Sequence, residues 1–125
     1  MKEPLLGVSG LTVKSNNNKK TTTILKDISL TIKEGEMLGL VGETGSGKSM
    51  LGWAIVDLLP VSCYRSDGII TYKKVPISDT PKLRGRKVAM IFQDPMQSLN
   101  PIQTIGSQIK ILFDNNVFNK KSSYD

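Results

Sequence analysis

The chain has no histidine and a single cysteine, Cys63. Without imidazole it cannot assemble a Ser-His-Asp triad, a Cys-His dyad or a histidine metal centre. One thiol closes no internal disulfide, and no secretory signal precedes the first strand-like run, which suits a reducing cytoplasm. Long hydrophobic runs are missing too. The longest, Met50 to Val61, is interrupted by Asp57 and Pro60 and falls short of the ~20 residues a bilayer crossing needs. Seventeen Lys and Arg against eleven Asp and Glu leave a net charge of +6. The basic residues are scattered as Lys19-Lys20, Lys73-Lys74, Arg84 to Lys87 and Lys120-Lys121. No aromatic platform is interleaved with them, so a solvated surface is expected and a nucleic-acid partner is not.

What is present suits one small soluble domain or a piece of one: 125 residues, 38% of them apolar. Leu5 to Val13 reads as a strand, and Ile28 to Ile32 alternates with the period of a strand buried on one face. The polar stretch Ser15 to Thr23 between them predicts an exposed hairpin tip. After the turn signal Glu34-Gly35, Met37 to Val41 is apolar without alternation, which predicts a strand covered on both faces. Lys48 to Leu59 is apolar almost all round and stops at Pro60, which predicts a buried helix. Ile69 to Tyr72 and Val88 to Phe92 read as further sheet elements. Asn100 and Pro101 supply cap and first-turn chemistry for a helix with Ile102, Ile105, Ile109 and Leu112 on one face. A polar tail over 114–125 is expected to fray.

The segment with chemical content is Gly42-Glu43-Thr44-Gly45-Ser46-Gly47-Lys48-Ser49. In the pattern GxxxxGK[ST], successive backbone N–H groups converge on an anion, and the following helix adds its positive end. The three glycines let the backbone curl, Lys48 reaches the β- and γ-phosphates, and the Ser49 hydroxyl coordinates Mg²⁺. A glycine turn can match this pattern by chance. Here an apolar run precedes it and an apolar helix follows it, which is the setting that phosphate binding requires. Such a loop alone does not choose among kinases, GTPases, motors and transport ATPases.

A second segment narrows the choice: Ala89-Met90-Ile91-Phe92-Gln93-Asp94-Pro95-Met96-Gln97-Ser98-Leu99-Asn100-Pro101. Together with Val41 to Ser49 it resembles the ATP-binding subunits of ABC transporters, in particular the oligopeptide, dipeptide and nickel importer branch. The resemblance runs to about Phe113. It implies an α/β P-loop NTPase fold of the ABC type, of which residues 1–113 would be the N-terminal portion: an antiparallel β region and an incomplete parallel core sheet. It implies ATP and Mg²⁺ as ligands, with Lys48 and Gln93 in catalytic roles and Ser49 and Gln93 near the metal. Gln93 would be the Q-loop residue, which also faces the membrane subunits; read alone it is a polar strand end. The implied partners are membrane-spanning transporter subunits and a second ATP-binding subunit, identical or not, at the cytoplasmic face of the cell membrane. In this family an aromatic residue of the first loop stacks on adenine. The matching place falls near Val13, and no Phe, Tyr or Trp stands between Met1 and Met50, so stacking is expected to be weaker or supplied by another group.

The family's LSGGQ-like signature, its strand ending in Asp-Glu and its switch histidine all follow the Q-loop, and none occurs in these 125 residues. The expectation is therefore a truncated ATP-binding subunit of a peptide or nickel importer. The alternative is a nucleotide-binding fragment without turnover of its own. A small P-loop kinase using Arg84 and Arg86 on an acceptor is a third reading, which the Gln93 to Pro101 match disfavours.

Overall fold

The computed structural model describes residues 3–17, 20–79, 83–84 and 87–114, and the chain divides into two compact units, Met1–Leu83 and Arg84–Asp125. The first unit is built on a four-stranded sheet. Strands β1 (Pro4–Asn17), β2 (Lys20–Lys33), β3 (Cys63–Tyr72) and β4 (Val75–Pro76) lie in the order β2-β1-β3-β4, and every adjacent pair is antiparallel.

The hairpin of β1 and β2 is longer than the sequence suggested. Pairing continues through Ser15 with Thr22, Asn16 with Thr21 and Asn17 with Lys20. The threonines carry it, because a β-branched side chain suits extended backbone even on a polar face. On β1 the buried residues are Val8, Leu11 and Val13, a spacing of three and then two. The extra residue falls at Gly10, whose φ of 60° accompanies a register shift against both neighbouring strands. This bulge keeps all three apolar side chains on one face.

Helix α1 (Lys48–Ile55) closes the core. Its Leu51 and Ala54 join Val8, Leu11, Val13, Leu25, Ile70, Ile77 and Leu83 in one buried cluster, with Val56 buried just beyond the helix. Burying a Leu or Val side chain contributes about 1.5–3 kcal/mol, so this cluster is the main stabilising feature of the unit. The helix ends four residues earlier than Leu59. Asp57 takes a left-handed φ of 54°, and the N–H groups of Val56 and Leu58 return to the carbonyls of Gly52 and Trp53 at 3.1 and 2.8 Å.

Two expected strands do not form. Met37 to Val41 follows the anticipated turn at Glu34-Gly35 as irregular chain, with Met37 and Val41 96% and 95% exposed. Val88 to Phe92 is likewise irregular, and Ile91 is 93% exposed. The expected parallel core sheet is absent among the described residues, whose one parallel pairing is an isolated bridge between Arg84 and Val88. The cause is the lack of partners: a parallel strand needs a neighbour on its hydrogen-bonding edge and cover on both faces. Neither run is paired to a described strand.

In the second unit the carboxylate of Asp94 caps a short 3₁₀ turn (Pro95–Ser98) by accepting from Met96 N–H at 3.2 Å. Helix α2 spans Ile105–Asp114. It begins later than Asn100 and Pro101 implied, because its cap is Thr104, whose Oγ1 accepts from Ser107 N–H at 3.3 Å. Asn100 instead caps the preceding turn, its Oδ1 accepting from Ile102 N–H at 3.0 Å. Ile102 is therefore outside the helix and exposed, and Ile105 and Ile109 are exposed on it. The Leu112 side chain and the tail from residue 115 onward lie outside what is described. No helix among the described residues is long and apolar enough to cross a membrane.

Candidate functional site

The loop from Gly42 to Ser49 leads into α1, and its shape follows from its glycines. Gly47 stands at the helix N-cap with φ 94°. A Cβ there would lie 2.6 Å from Leu25 Cδ2 on β2, so this position requires glycine both for its backbone and for its close approach to the sheet. Gly45 also takes a positive φ, 84°. A tight turn joins the two halves of the loop, with Ser46 N–H donating to the Glu43 carbonyl at 3.2 Å.

Lys48 folds back over this turn. Its Nζ donates to the carbonyls of Gly42 and Glu43 at 2.7 and 2.6 Å and to Ser46 Oγ at 3.3 Å. The ammonium thus lies at the centre of the loop. The first turn of α1 has no side-chain cap and no acidic residue, so its free N–H groups and the helix dipole present uncompensated positive potential. Thr44 and Ser49 are exposed at the rim. Among the described residues no hydrogen bond engages the Ser49 hydroxyl, which leaves its oxygen free for a hard cation.

These features fit a polyphosphate and a magnesium ion: a cation, unpaired amides and a hydroxyl converge at a helix start with no acidic residue in its first turn. No cluster of three or more His, Cys, Asp or Glu able to hold a metal exists among the described residues; a magnesium ion here would take the Ser49 hydroxyl together with oxygens of the phosphate ligand. Gln93 is exposed and belongs to the second unit, one residue before the Asp94 cap. The structure brings Gly42, Glu43, Ser46 and Lys48 together in the first unit.

Val13 cannot stack on a base, because its side chain is fully buried in the core. The aromatic residues near that stretch of β1 come from β3, where Tyr64 pairs with Lys14 and is exposed.

One residue with a clear local role was not anticipated. Gln108 on α2 accepts from Asn100 N–H through Oε1 and donates through Nε2 to the carbonyls of Asn100 and Gln103, all at 3.0 Å. Its amide acts as a clamp on the turn that follows the Gln93 segment. A polar residue three after Ile105, among the apolar positions Ile105, Ile109 and Leu112, was the available signal.

A family model described as ABC transporter matches residues 25–124. The chain is 40% identical over 114 residues to the oligopeptide transport ATP-binding protein AmiE of Streptococcus pneumoniae, covering 86% of this chain and 32% of that protein. It is 38% identical over 110 residues to the oligopeptide transport ATP-binding protein OppD of Haemophilus influenzae, covering 85% and 34%. It is 39% identical over 115 residues to the uncharacterized ABC transporter ATP-binding protein YejF of Escherichia coli, covering 87% and 22%. The chain spans about a third or less of the length of these relatives.

Proposed function

The chain belongs to the ABC transporter family, and we propose that it binds ATP with Mg²⁺ through Gly42 to Ser49, as the N-terminal portion of the nucleotide-binding domain of a peptide importer. The observation that carries this reading is the Lys48 ammonium held over a glycine turn at the uncapped start of α1. The loop amides and Lys48 would hold the β- and γ-phosphates, and Ser49 Oγ would take one position on the metal. Magnesium, when bound, neutralises phosphate charge and fixes the orientation of the chain of phosphates. Gln93 would complete the metal and water environment once the rest of the domain is assembled, and would couple it to membrane-spanning subunits. A second ATP-binding subunit would supply the other half of the site at the cytoplasmic membrane face. Peptide is favoured over nickel as the transported solute because AmiE and OppD carry oligopeptide transport in their names.

Binding without turnover is the second reading for these 125 residues. No run of four apolar residues here is followed by Asp-Glu, and hydrolysis needs a carboxylate and a group that orients water. In the whole domain, Met37 to Val41 and Val88 to Phe92 would each become a parallel strand, with their exposed apolar side chains covered. Titration of the chain with ATP, with and without Mg²⁺, tests the site. Lys48→Ala should weaken binding about ten- to a hundredfold, the effect of removing a charged hydrogen-bond donor. Unchanged affinity in that variant would refute the assignment.

A further inference from the structure

Resting on the phosphate-binding reading above, we propose that Ser46 is a positioning residue that controls how Lys48 is handed to an incoming phosphate. An ammonium has three N–H donors, and within the loop Lys48 spends them on the Gly42 carbonyl, the Glu43 carbonyl and Ser46 Oγ. These partners differ in kind. The carbonyls are backbone, their bonds are short at 2.7 and 2.6 Å, and the turn bond from Ser46 N–H to the Glu43 carbonyl fixes the place of the second. Ser46 Oγ is the longest of the three at 3.3 Å, and it sits on a side chain that turns about a single bond on an exposed residue.

The hydroxyl is therefore the exchangeable partner. A phosphate oxygen can replace it on the third N–H while both carbonyls stay bonded, so the charge reaches the ligand without the lysine leaving the loop. Until that exchange, Ser46 competes with phosphate for Lys48 and holds the ammonium in one orientation. Its effect on binding runs through Lys48.

Two measurements on the full 125-residue chain test this. The first uses no nucleotide: the rate of reductive methylation at Lys48, located by peptide mass spectrometry and compared with the exposed Lys26 and Lys33. Ser46→Ala should speed modification of Lys48 about two- to fivefold, the scale of one modest hydrogen bond, and leave Lys26 and Lys33 unchanged. Ser46→Thr, which keeps the hydroxyl, should behave as the parent chain. The second is Mg-ATP titration, where Ser46→Ala should bind tighter by a similar factor. An unchanged Lys48 rate, or weaker Mg-ATP binding in Ser46→Ala, overturns the proposal even if Lys48→Ala abolishes binding. If Lys48→Ala binds Mg-ATP normally, the phosphate reading itself fails and the role of Ser46 falls with it.

Discussion

Val8 to Val13 and Met37 to Val41 are two stretches of the first unit that read as strands, and only the first of them forms one. From Val8 to Val13, β1 has β2 on one side and β3 on the other, and Leu11 and Val13 are wholly buried. From Met37 to Val41 a comparably apolar run has no strand partner among the described residues, and its ends are almost fully exposed. The difference is reach. A hairpin brings its partner back after a few residues, so closing the loop costs little conformational entropy. A parallel strand depends on a partner a dozen or more residues away and on cover from both faces.

The sharpest way to break this comparison is to shorten side chains in both regions and measure urea unfolding. Leu11→Ala should cost about 2–5 kcal/mol, because it leaves a cavity in a filled core. Val41→Ser, at an exposed site, should change stability by no more than about 0.5 kcal/mol. Comparable losses at the two positions would mean that Met37 to Val41 is covered in solution. A smaller effect is expected at Gln108. Removing its amide deletes three hydrogen bonds of about 0.5–1.5 kcal/mol each at most, at a partly exposed site. Gln108→Ala should therefore loosen the 100–103 turn locally, seen as faster amide exchange at Asn100 and Ile102, while the sheet of the first unit keeps its protection.

The smallest effect is expected at the start of β1, where Glu3 and Lys74 pair at 2.6 Å between exposed side chains. The hydrogen bond and charge of Lys74 hold the Glu3 carboxyl below its ordinary range. A carboxylate whose pKa is lowered by folding adds stability above its unfolded pKa and loses it as pH falls through the folded value. The slight advantage of the parent chain over Glu3→Gln should thus be present at neutral pH and vanish on acidification, with salt weakening it throughout. An advantage that grows toward low pH would exclude this pairing as its source.

The same contrast explains what could be read from the residues alone. The hairpin, the β3 segment at Ile69 to Tyr72, the turn at Glu34-Gly35 and the start of α1 at Lys48 were legible because each is governed by local pattern and turn chemistry. The Gly10 bulge was not, since it shows only as a slip in the spacing of Val8, Leu11 and Val13. Thr104 was overlooked as a cap because Asn100 and Pro101 offered a stronger nearby signal, which the chain uses for a separate turn. The runs at Met37 and Val88 were read from apolarity, which reports what a segment can do when covered. In the loop, the residue types point to phosphate chemistry as an expectation, whereas the three-way grip on Lys48 depends on carbonyl directions that no motif encodes.

Amide hydrogen exchange across residues 37–50, with and without Mg-ATP, tests the central claim most directly. Binding at the start of α1 predicts new protection at Gly45, Gly47, Lys48 and Ser49, as their N–H groups take phosphate oxygens, while Met37 to Val41 continues to exchange freely. Unchanged exchange at those four amides under saturating Mg-ATP would contradict the account.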